Sequence, residues 1–139
     1  MAKASTGLSA EERAAVKERA KELKAAQDRA SGEQAVAEKI TEMPEADRVL
    51  AEKVSEIVAK VAPDLVPRTF YGMPAWSRDG KVVVFFKDAA KFKSRYATLG
   101  FEEAATLDDG EMWATSYALV GIGPDTEKQI TALVERAIS

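Results

Sequence analysis

The chain reads as an α+β protein, with helices first, then antiparallel strands, then a closing helix. Three observations predict this. Leu50, Val54, Ile57, Val58 and Val61 recur at helical spacing on one face. From Pro67 to Val120 the pattern changes to short extended runs punctuated by turn residues. After Gly123-Pro124 helical spacing returns at Ile130, Leu133, Val134 and Ala137. Such an order packs helices on one face of a twisted, mostly antiparallel sheet.

Each element has its own signal. Ser9 with Glu12 forms a capping box that opens a helix over residues 10–29. Its apolar stripe is thin (Leu8, Val16, Ala20, Leu23), so it reads as a solvated, charged extension. Ser31-Gly32 is expected to break it. Residues 1–32 then form a charged N-terminal helical extension and residues 33–139 the α+β domain. A short helix over 33–41 would bury Val36 and Ile40, and a stronger one starts at Met43-Pro44 and ends at Pro63. Residues 68–71 favour β structure. Ala75–Arg78 and Lys81–Phe86 flank an Asp79-Gly80 turn and read as a hairpin. The apolar run Val82–Phe86 suggests a strand covered on both faces. Residues 91–96 alternate basic and aromatic or polar side chains and predict a half-exposed strand. Residues 100–107 suggest a short helix, Asp108-Asp109-Gly110 a turn, 115–120 a strand. In Tyr71-Gly72-Met73-Pro74-Ala75-Trp76, Gly72 and Pro74 predict a strand corner.

Composition removes whole classes of chemistry. There is no cysteine and no histidine. That excludes disulfides, thiolate nucleophiles, Ser-His-Asp triads and histidine-ligated haem, and leaves oxygen donors for any metal. No P-loop, G-x-G-x-x-G or G-x-S-x-G motif occurs. No acid–base pair can be named, so the chain is read as non-enzymatic. The first residues do not resemble a secretory signal, and no apolar run approaches the ~20 residues that span a bilayer. A cytoplasmic protein without a membrane partner is expected.

Charge is segmental. The net charge is −3, yet residues 67–98 carry seven basic and two acidic side chains, and residues 99–139 two basic and eight acidic. The basic part contains Lys91, Lys93 and Arg95 beside the aromatic-rich YGMPAW stretch. Tyr71, Met73, Trp76, Lys91, Lys93 and Arg95 are therefore the candidate ligand-binding residues, for a small anionic molecule in a shared groove. The competing reading has the lysines guarding a strand edge and the aromatics in the core. The acidic balance argues against nucleic acid. Glu102, Glu103, Asp108, Asp109 and Glu111 are the candidate metal ligands, since carboxylates suit hard cations. Their spacing matches no EF-hand, and exposed caps and turns are the alternative. Trp113 and Met112 could wall a pocket with Trp76, or bury in the core.

The run from Ala62 to Leu119 resembles the YdhG-like family of small bacterial proteins, a domain of largely unknown function. The telling pieces are Tyr71-Gly72-Met73-Pro74, the Gly80–Phe86 strand and Asp108-Asp109-Gly110-Glu111-Met112-Trp113. The likeness covers roughly residues 33–139. It implies a compact α/β domain compared with frataxin, and for some members an intracellular iron chaperone with weak iron binding. No ligand set transfers residue by residue, so only the five acids above are compatible with iron. Three functions follow: an iron-handling domain of this family, an anionic-ligand module on the aromatic and basic face, or a protein adaptor acting through the N-terminal helix.

Overall fold

The computed structural model describes residues 9–139. The order is α1 (Ala10–Thr41), α2 (Glu45–Val61), β1 (Val66–Phe70), β2 (Met73–Arg78), β3 (Lys81–Lys87), β4 (Ala97–Phe101), β5 (Ser116–Leu119) and α3 (Pro124–Ala137). The strands form one antiparallel meander, β1-β2-β3-β4-β5. The α+β expectation holds.

The capping box at Ser9 and Glu12 is formed in both directions, and its hydrogen bond to the Ser9 backbone draws the Glu12 carboxyl below the usual glutamate range. Leu8 lies outside the described residues. The expected break at Ser31-Gly32 does not occur: α1 is one helix of 32 residues. Gly32 is there because the helix lies against β1. A Cβ at Gly32 would fall 1.8 Å from the Pro67 carbonyl oxygen, so glycine serves close approach rather than chain breaking.

The core lies between α1, α2, α3 and one sheet face. Val36 and Ile40 of α1, Val54, Ile57 and Val58 of α2, and Ile130 and Val134 of α3 are buried there. Burying each of these side chains stabilises the fold by roughly 1.5–3 kcal/mol. The sheet contributes Trp76, Val83, Val84, Phe86, Leu99 and Phe101. A bulge explains the long apolar run in β3. Trp76 pairs with Val84 but Ser77 with Val82, leaving Val83 as the extra residue. Val83 and Val84 both join the helix-side core, while Val82 lies outside it. The run therefore reports a bulge, and among the described residues no second helical layer lies behind it.

Two segments differ from expectation. Residues 91–96 form turns, and β4 begins only at Ala97. Residues 102–107 are not a helix. The single proton of the Thr106 hydroxyl instead has the carbonyl oxygens of Arg136, Ala137 and Ser139 within reach at 2.8, 3.1 and 2.9 Å, and the Thr106 N–H donates to the Ala137 carbonyl at 3.0 Å, tying down the end of α3. No helix among the described residues is long and apolar enough to cross a membrane.

Candidate functional site

The YGMPAW segment is a hairpin plus the start of a strand. Tyr71 and Gly72 have φ of +50° and +77°, and Asp79 and Gly80 repeat this at +53° and +79°. Positive φ at both central residues marks the tight turn that suits a two-residue hairpin loop. The chain thus turns twice, β1 to β2 and β2 to β3. Pro74 sits inside β2, where β2 pairs with β1 alone, since the ladder to β3 starts at Ala75. Proline is tolerated at such an edge-like position.

This register separates the six candidate ligand residues. Met73 and Trp76 are three apart along β2 and point to opposite faces. Trp76 is 3% exposed under the helices, and Met73 is buried on the opposite face beside Phe70. Tyr71 is 83% exposed on its turn. Lys91, Lys93 and Arg95 are exposed on the loop after β3, not on one face of a strand. Among the described residues, none of the larger cavities is lined by more than one of these six. Among the described residues these six side chains therefore do not line the shared groove expected from the sequence. Trp113, 39% exposed, and Met112, 88% exposed, likewise share none of these cavities with Trp76.

What the fold does assemble is a cationic, aromatic loop. The Lys87 and Lys91 ammonium groups stand 5.0 and 5.5 Å from the centre of the Phe92 ring, and the Arg95 guanidinium 5.2 Å from that of Tyr96. Lys91 Nζ also reaches the Gly72 carbonyl at 3.5 Å, joining the loop to the Tyr71-Gly72 turn. None of Lys87, Lys91, Lys93 and Arg95 forms an ion pair among the described residues.

The loop is held by two acids that the sequence did not single out. Asp47, 5% exposed in the first turn of α2, accepts from the backbone N–H groups of Ala89 and Ala90 at 3.1 and 3.0 Å. Asp88, 4% exposed, accepts from the N–H of Lys91 at 3.2 Å. Buried acceptors paired this way fix backbone that carries no regular ladder. An Asp three residues before Lys91 is a local turn signal, but the partnership of Asp47 with residues 42 positions away had none. Beside the loop lies a cleft of about 470 Å³ where Lys39, Glu42, Asp88 and Lys91 meet with both signs of charge.

The five candidate metal ligands are exposed and spread along residues 102–111. Glu102 and Glu103 face Arg68 and Lys81 across a shallow cleft, and Asp108, Asp109 and Glu111 occupy the following loop. Among the described residues no three carboxylates converge as a metal site requires. Comparison of the chain with protein-family models, curated proteins and solved structures finds no match.

Proposed function

We propose that this chain is a non-catalytic binding domain that holds an acidic peptide segment on its 87–96 loop. The observation that carries this reading is the loop itself. Four cations with no carboxylate partner among the described residues, Lys87 at the end of β3 and Lys91, Lys93 and Arg95 after it, stand beside exposed aromatic rings, and the loop backbone is pinned by Asp47 and Asp88. An exposed loop does not enclose a compact anion, and the neighbouring cleft carries both charge signs. A linear run of Glu or Asp can reach successive cations while the rings of Phe92 and Tyr96 supply contact area. Membership in the YdhG-like family forms part of the same reading and rests on the quoted motifs. Iron delivery, which that resemblance implies, is set second because the five acids do not meet.

Fluorescence anisotropy with a labelled oligoglutamate peptide tests the proposal. Binding is expected to weaken at least about tenfold in a Lys91→Ala/Lys93→Ala variant, and to fall steadily as salt rises from about 0.05 to 0.5 M. Unchanged affinity in the variant, or tighter binding of a single-stranded oligonucleotide than of the peptide, would overturn it. Ferrous iron titration followed by NMR is the companion measurement. Saturable shifts at Glu102, Glu103, Asp108, Asp109 and Glu111 would restore the iron reading.

A further inference from the structure

An apolar concavity separate from the cleft beside the loop lies on the helix side of the sheet. It runs between α1 and α2, with a volume of about 600 Å³. Val36 and Ile40 of α1, Val58 of α2, Leu65 and Trp76 form its apolar floor. Its mouth stays open because Ala37 and Ala59, which face it from the two helices, are small and exposed.

Two polar groups in this groove have no hydrogen-bond partner among the described residues. The Trp76 indole N–H donates to no acceptor among the described residues, although Trp76 is 3% exposed. The Ser55 hydroxyl, on the α2 wall, is equally unpartnered among them. Every fully enclosed side-chain nitrogen and oxygen among the described residues does have a hydrogen-bond partner. These two groups are therefore reached from outside, and the groove is the opening that both line. A tryptophan this deeply buried ordinarily satisfies its N–H.

The ends and rim narrow the choice of occupant. Arg29 of α1 donates to the Asp64 carbonyl at 3.2 Å, bridging the groove at the end where α2 finishes. A partner helix running through would need both ends open. The rim charges are of both signs, Arg29 against Glu33 and Glu52, so the rim selects no net ionic charge.

We propose that this groove is a binding site for a neutral small molecule with an apolar body and one hydrogen-bond acceptor, such as a carbonyl, directed at the Trp76 indole N–H. The volume lies in the range of small-molecule sites, and one or two placed polar groups on an apolar floor are what such sites use for orientation.

The neutral solvatochromic ketone prodan serves as probe, on the full chain carrying Trp113→Phe so that Trp76 is the sole tryptophan. Saturable one-to-one binding is expected, with quenching of Trp76 emission and a downfield shift of its indole proton. Ala37→Leu with Ala59→Leu, both at exposed helical positions, fills the mouth and is expected to weaken binding at least about tenfold. Trp76→Phe is expected to weaken prodan several-fold while leaving ethylnaphthalene, a hydrocarbon without the acceptor, unaffected. The proposal falls if the two leucines leave the affinity unchanged, or if Trp76→Phe affects both probes alike. It also falls if sedimentation shows the groove closed by a second copy in a dimer.

Discussion

At the residue scale, two glycines decide how closely layers approach, and neither does so through a special backbone angle. Gly32 admits the Pro67 carbonyl of β1 against α1. Gly100 lies under Phe85, its cross-strand neighbour, whose ring would be 2.1 Å from an added Cβ. The aromatic ring covers the bare backbone of β4 on the sheet face that, among the described residues, carries no helix. Alanine at either site should therefore destabilise, but by different routes. At Gly100 the Phe85 ring can swing aside, and a cost of about 1–2 kcal/mol in denaturant unfolding is expected. At Gly32 the obstacle is backbone, so α1 must move as a body, and a cost of about 3 kcal/mol or more is expected. Equal costs would mean that α1 does not rest on β1 through Gly32.

At the element scale, the segment from Asp88 to Tyr96 shows how a loop becomes a binding surface. It has no ladder of its own, and two buried carboxylates replace one. Asp47→Ala leaves two backbone N–H groups without acceptors, at a cost of about 1–3 kcal/mol. It should also raise hydrogen exchange at Ala89 and Ala90 and weaken oligoglutamate binding, because the cations lose their common platform. Asn at the same position keeps one acceptor oxygen and should recover part of both. Fast exchange without any loss of peptide affinity would show that the loop's order is irrelevant to its charge. This element also marks where sequence reading stopped. The alternation from Lys91 to Arg95 obeys the strand period, but five residues of pattern carry no information about pairing. The distant Asp47 that organises them sits on another element, in a helix whose apolar face was read correctly. The Tyr71-Gly72 hairpin was missed for a related reason: tyrosine seldom takes positive φ, whereas Asp79-Gly80 announced itself.

At the scale of the whole molecule, the architecture was legible because its core-bearing faces are periodic: α2, α3 and the β2–β3 hairpin all lie where their spacing placed them. The misreadings concern how layers meet, as at Gly32, and which side of the sheet a residue faces, as at Trp76. Both depend on which strands pair and on what stacks against each sheet face, and short stretches of pattern do not carry that. The same view isolates the first half of α1. Every described side chain from Ala10 to Asp28 is exposed, Val16 and Leu23 among them, so this half adds no core. It projects about 28 Å at helical rise, with its start secured by the Ser9–Glu12 box. Packing begins at Arg29, which reaches Asp64, and at Gly32. A chain starting at Gln27 should therefore unfold within about 1 kcal/mol of the full chain, since surface helix contributes little to a core it does not touch. A chain starting at Val36 loses the Gly32 contact and the Arg29 bridge, and should unfold at distinctly lower denaturant. Thermal and urea unfolding of the two truncations check this. A large loss already in the first would mean that the projecting helix packs on the domain, and would return the extension to the core.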